Sequence, residues 1–306
     1  MNDAFFTATK HALKNITDVF DTVWPISVSL WNLRYMVSGV KQENPNISEA
    51  MMAHKFTTGS GVHGVNYTKT FLNQSWEKQQ ENVAWILLNA IFPIYEGWLE
   101  ALKHDAFADM DVKSFQYPDR VKREINKLNN NSSTILKRCF YEAYSKKRDR
   151  KYDHIMQWLT CFRVYKEIRN CYMHAGKIAD EKLVKSYNEY LPYATNDDLL
   201  VKEVPDLARP ILDQYICLNL RGVVAFSYIM IKIIVTIDAE LICSIHAEKE
   251  FLIRFKKKHN KIRILKSEIK KANKQVEQYV RQSGFVTPKE VDVMREYLLD
   301  KHLVMR

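Results

Sequence analysis

The chain reads as an all-α protein: a helical bundle with an N-terminal helical extension and a C-terminal basic helical tail. Three observations predict this. Glycine and proline are sparse, 8 of each in 306 residues, whereas an all-β chain needs a turn signal every dozen residues or so. Apolar residues recur at spacings of three and four through most of the chain, which is the period of one helix face. A composition of 46% apolar and 12% aromatic residues is too rich for disorder, so these helices have a core to build.

The elements follow in order. Leu13, Ile16, Phe20, Val23 and Trp24 lie at helical spacing, and Pro25 is expected to kink or divide their helix. Residues 41–75 read as a looser stretch. Within it Gly59-Ser-Gly61-Val-His-Gly64 matches a GxGxxG fingerprint. No convincing strand precedes it and no acidic ribose partner follows in a βαβ setting, so it reads as a flexible loop.

From Trp76 to His104 a helix presents Val83, Leu87, Ala90, Ile91, Ile94 and Trp98 on one face. A second, near Thr134–Ser145, is expected to bury Leu136, Cys139, Phe140 and Ala143. A third, from Tyr152 to about Met173, buries Ile155, Trp158, Leu159, Phe162 and Ile168, with Gly176 placed to end it. A polar loop over 177–207 leads through Pro210 to a long apolar helix over about 211–246.

Residues 216–237 have the length of a membrane span. Arg221 and Lys232 interrupt them and Asp238 and Glu240 follow, so a central core helix is expected and no membrane association. In the tail, Ile262, Leu265, Ile269, Ala272, Val276 and Tyr279 alternate spacings of three and four, a heptad seam that calls for a partner helix. Gly284 breaks the seam. Thr287-Pro-Lys-Glu290 then reads as a capping box opening a last helix to about Asp300. The organisation expected is an extension and loop over 1–75, a bundle over 76–246, and a basic heptad-bearing helix with a terminal helix over 247–306.

Five scattered cysteines with no CxxC pair point to buried thiols in a reducing, cytoplasmic setting. The opening MNDAFFTATKHALKN lacks the basic-then-apolar pattern of a signal peptide. Net charge is +10, and residues 248–274 hold 11 Lys and Arg against 3 Glu, leaving +2 for the rest. Such a run, with Lys256, Lys257 and Lys258 at its centre, reads either as a solvated face or as a site for a polyanion such as RNA.

Chemistry concentrates in Tyr165–Gly176, YKEIRNCYMHAG, at the end of the third bundle helix. Arg169 and His174 frame four residues, Asn170 follows the arginine, and Ala175-Gly176 form a small-residue exit. Three other arginine–histidine pairs have similar spacing: Arg148 to His154, Arg254 to His259 and Arg295 to His302. The first lies in a highly charged connection, the second in the basic run, and the third ends past its helix. Asn170 and His174 share a helix face, whereas Arg169 and His174 stand about 140° apart on an ideal helix.

In these residues the chain resembles the HEPN superfamily, many of whose members are metal-independent ribonucleases with an R-x4-6-H motif and a polar residue after the arginine. The resemblance covers roughly residues 76–245. It implies RNA as substrate, a homodimer whose two motifs form a composite site, and no cofactor or metal. Under it, His174 would shuttle the proton as the ribose 2′-OH attacks phosphorus, since imidazole ordinarily titrates near neutrality. Arg169 would hold the phosphate oxygens and Asn170 would orient either group.

Tyr172, inside the motif, either stacks on a base or packs. Glu167 is expected to pair with Arg163 four residues before it, and Glu96 and Glu100 to approach the motif helix. His54 and His63 read as surface residues. Toxins and anti-phage effectors are common among such enzymes, and an inhibitory or regulatory protein partner is expected of an autonomous nuclease. Two other readings stand beside this one: a non-catalytic RNA- or nucleotide-binding subunit of a defence complex, and a structural helical assembly protein.

Overall fold

The computed structural model describes residues 4–105, 107–108, 110–129, 132–147 and 149–306. Helix α1 (Thr7–Glu43) runs unbroken through Pro25, so the proline does not divide it. Pro25 is exposed, so water can take the carbonyl that its missing N–H leaves unbonded. The loose stretch after it is partly ordered: Ser48 caps α2 (Glu49–Thr57) by accepting from the Met51 N–H, and a π-helical turn spans Thr68–Asn73. Val37, Met52, Tyr67 and Phe71 form a small separate core there. Between them Gly59, Gly61 and Gly64 all adopt positive φ in an exposed loop.

Helix α3 (Trp76–Asp105) packs along α1. A 3-10 turn (Val112–Gln116) leads into α4 (Pro118–Asn129). Next, α5 (Thr134–Leu136), a π-turn (Lys137–Tyr141) and α6 (Glu142–Ser145) form one continuous helical segment. It buries Leu136, Cys139 and Phe140 as expected, but Tyr144 in place of the exposed Ala143. Helix α7 (Ile155–His174) carries the motif and is followed by α8 (Glu181–Tyr190) and α9 (Asn196–Leu199).

Helix α10 (Leu220–Leu241) is the long apolar one, and it packs against both α3 and α7. Among the described residues it is the one helix long and apolar enough to cross a membrane, and 72% of its apolar window is buried inside the protein. An aromatic spine joins the three helices: Tyr95 to Phe162 at 4.6 Å, Phe92 to Phe226 at 5.5 Å, and Tyr165 stacked on Phe226 at 4.2 Å.

The helix begins at Leu220, not near 211. Residues 213–216 pair instead with 177–179, Ile216 N–H donating to the Lys177 carbonyl and Ala179 N–H to that of Gln214. Asn219 then caps the helix by accepting from the Arg221 N–H.

Gly222 sits in the first turn of α10, directly beneath the 200–219 segment. A Cβ there would lie 2.0 Å from the Asp206 carbonyl oxygen and 3.1 Å from the Tyr165 hydroxyl. Helix propensity alone favours Gly222→Ala by about 1 kcal/mol, but a backbone oxygen cannot rotate away. Overpacking wins, with an expected net loss of about 1–3 kcal/mol. Thermal unfolding of the variant checks this, and an unchanged or raised Tm would mean that the overlying segment yields freely.

The tail departs most from expectation. It is not one heptad-bearing helix: α11 (Ile245–Lys258) and α12 (Ile269–Gln282) are separated by a two-residue strand, β1 (Arg263–Ile264). Ile262 and Ile264 are exposed, and only Ala272, Val276 and Val280 of α12 are buried. Crowded cations from Lys256 to Lys261 oppose a continuous helix through this stretch. The capping box is also unused. Helix α13 (Val291–Asp300) starts at Val291, and Glu290 pairs with Arg138. β1 pairs in parallel with β2 (Val304–Met305). The main cluster of buried residues extends from Phe5 to Val304, so extension, bundle and tail share one core.

Candidate functional site

The motif occupies the last turn and a half of α7. Cys171 accepts through its carbonyl from the N–H groups of Ala175 and Lys177, at 2.9 and 3.1 Å. Gly176 follows at φ +59°, the left-handed residue that ends the helix. Lys177 is also left-handed, at φ +70°, a costly state for a residue with a Cβ. Its ammonium explains the tolerance, lying 5.0, 5.3 and 5.8 Å from the ring centres of Trp85, Tyr172 and Tyr215. Tyr172 itself stacks on Trp85 at 4.9 Å, so it packs.

Arg169 is mostly buried. Its guanidinium lies 5.8 Å from the Phe92 ring centre, and Nη1 is 3.5 Å from the Glu96 carboxylate. Its Nε is buried with no hydrogen-bond partner, an uncompensated charged donor of the kind that normally finds an acceptor. Glu96 thus approaches the motif as expected, while Glu100 stays exposed.

Asn170 is half-buried and donates from Nδ2 to Glu167 Oε2 at 2.9 Å. Glu167, itself buried, accepts at its other oxygen from Arg163 Nη2 at 2.5 Å. The expected Arg163–Glu167 pair is therefore present, and it also fixes the amide. With Nδ2 committed, Asn170 Oδ1 is the atom left to accept from a donor one turn on. His174 is exposed at that position, the final residue of α7.

The sequence-related alternatives are spent on structure. Arg148 lies outside the described residues, and His154 is bonded through Nδ1 to the Asp198 carbonyl at 2.8 Å. Arg254 donates to the carbonyls of Phe5, Ser283 and Gly284 and covers the Phe285 ring, and His259 bonds the Tyr279 carbonyl. Arg295 pairs with Asp292 and Asn273, and His302 lies past the end of α13. His54 and His63 are both exposed.

Lys256, Lys257 and Lys258 are exposed at the end of α11. They are not brought to the motif. α11 is tied to the N-terminal residues and to the C-terminal end of α10, through Arg254 to Phe5 and Phe5 to Asp238. The motif lies at the other end of α10, where Ile216 pairs with Lys177. The 22 residues of α10 span roughly 30 Å between these ends.

Two depressions, of about 850 Å³ beside Asp149, Arg221 and Lys232 and about 500 Å³ beside Glu81 and Asn219, are lined by neither Arg169 nor His174. Among the described residues no three His, Cys, Asp or Glu side chains converge as metal ligands would.

Sequence reasoning missed two parts of this region. One is the Glu167 link to Asn170, which helical spacing of three makes available. The other is the ring cage around Lys177, which joins residues 85, 172 and 215 and has no local signal. No protein-family model, curated protein or solved structure matches this chain.

Proposed function

We propose that this chain is a metal-independent endoribonuclease of the HEPN type, working as a cytoplasmic homodimer on cellular RNA in the manner of a toxin or anti-phage effector. The observation that carries the reading is the buried, unpartnered Nε of Arg169 within the same helix end as an exposed imidazole. A guanidinium held on an aromatic face, with Glu96 at Nη1 and no acceptor at Nε, has a donor to spare for a phosphate oxygen.

In the reaction, His174 takes the proton of the ribose 2′-OH as that oxygen attacks the adjacent phosphorus. The P–O5′ bond breaks, and the leaving oxygen takes up a proton, giving a 2′,3′-cyclic phosphate and a 5′-OH end. Arg169 neutralises charge on the non-bridging oxygens. Asn170, aimed by Glu167, orients the imidazole. Exposed Met173, and Ile86 beside Trp85 on α3, offer apolar surface next to the motif where a second copy can bring its own His174.

The test is incubation of the purified protein with total RNA in EDTA, followed by mapping of new termini. Cleavage with 5′-OH and cyclic-phosphate ends is expected. Intact RNA, or 5′-phosphate ends, would overturn the reading.

A further inference from the structure

Three cations converge on one ring some distance along α7 from the motif. The Arg120 and Arg163 guanidiniums lie 4.8 and 4.9 Å from the centre of the Tyr117 ring, and the Lys166 ammonium 5.9 Å. Like charges held this close repel, and the chain compensates them only in part. Buried Glu167 pairs with Arg163, and exposed Asp119 lies 3.9 Å from Arg120. Lys166 donates to the Gln116 amide oxygen, a neutral acceptor. Glu96 and Glu167 are the carboxylates that Lys166 also senses. Burial, then repulsion from Arg163, lowers the Lys166 pKa, so the surroundings resist this charge more than they welcome it.

The cluster is not isolated from the motif. Arg163, Lys166, Asn170 and His174 fall within an arc of about 80° on α7, because three- and four-residue steps keep to one face. From Arg163 to His174 this stripe runs about 16 Å, room for roughly five stacked nucleotides at about 3.4 Å each. Arg163, Lys166 and Asn170 are partly exposed and His174 is exposed, so the stripe keeps some surface for a ligand and opens toward His174.

We propose that Tyr117, Arg120, Arg163 and Lys166 form a platform that holds the phosphodiester backbone of single-stranded RNA and leads it along α7 to His174. This rests on the ribonuclease reading for what happens at His174, but not for the binding itself. Tyr117 is the rigid backing: its ring face holds the guanidiniums in place, and the donors that Glu167 and Asp119 do not take remain for phosphate oxygens. The bound backbone supplies the negative charge that the cluster lacks. A single strand fits because a convex helix face admits a chain that can bend and splay, and a duplex cannot follow it into a cleavage geometry.

The experiment uses a fluorescent RNA fully 2′-O-methylated, which cannot be cleaved by its own 2′-OH, with affinity followed by anisotropy against salt concentration. Arg120→Ala and Lys166→Gln are each expected to weaken binding by about threefold to tenfold and to lower the slope of log affinity against log salt by about one. Arg120→Glu, at a side chain half exposed, is expected to weaken it further without touching the core. The Lys256→Ala/Lys257→Ala/Lys258→Ala variant is expected to bind as wild type does.

Unchanged affinity in the platform variants, or loss in the tail variant alone, would overturn the platform. So would equal affinity for a duplex of the same sequence. Platform-dependent binding with no cleavage of ordinary RNA by wild type would sink the ribonuclease reading and leave the platform standing.

Discussion

Replacing Asp238 by alanine is expected to destabilise the protein by on the order of 3–5 kcal/mol. Asp238 is fully buried near the end of α10, and its two oxygens accept the backbone N–H groups of Phe5 and Phe6 at 2.8 and 3.1 Å. The Thr9 hydroxyl bonds it as well. The Phe6 N–H is one of the orphan donors at the start of α1, the Phe5 N–H lies just before it, and alanine would leave both inside a dry core. Asp238→Asn is not a neutral control, since its NH2 would face one of these donors.

Burial holds the Asp238 carboxyl above its ordinary value of 3.8, even against these donors. Below that value folded and unfolded chains both carry the proton. As pH rises past it the unfolded chain ionises first, so this residue's contribution shrinks until the folded carboxyl follows. Urea unfolding of wild type and variant across pH 3–7 measures both effects. A difference below 1 kcal/mol would mean that α1 is not anchored here.

The second large effect concerns activity. His174→Ala is expected to lower the rate of RNA cleavage by about 10²–10⁴, the usual worth of a positioned acid–base. Stability should stay within about 0.5 kcal/mol, because the side chain is exposed. Arg169→Ala is expected to cost a similar factor through lost charge stabilisation. Asn170→Ala should cost less, since it positions and does not react. Single-turnover cleavage of one defined RNA by each variant gives the comparison. Wild-type rates for His174→Ala would reduce the motif to a helix end.

How far these features were legible in the sequence varies with their physical origin. Helices α3 and α7 could be read directly, because a buried face writes its period into the residues. The start of α10 could not. Residues 213–216 adjoin the apolar run and would continue its helix, but they satisfy their backbone on the 177–179 segment, a pairing with no local signature. The heptad of the tail was real as a pattern and failed as a helix, since its first members lie in a run where repulsion and a strand pairing compete. At the site, Arg169, Asn170 and His174 were marked by spacing, and Glu96 by its position on a neighbouring face. The Tyr117 cluster stayed hidden because its cations come from two helices far apart in the chain.

The anchoring of the first helix has a consequence for biogenesis. Phe5 and Phe6 lean on Asp238, Thr7 on Glu250, and Lys10 on the Gly284 carbonyl. A nascent chain leaves the ribosome amino end first, so α3 can pack along this helix early, while the polar anchors of its first turn wait through the synthesis of more than two hundred further residues. Until position 284 has emerged, its exposed amino end, with Phe5 and Phe6, is a client for chaperones or a seed for mispairing.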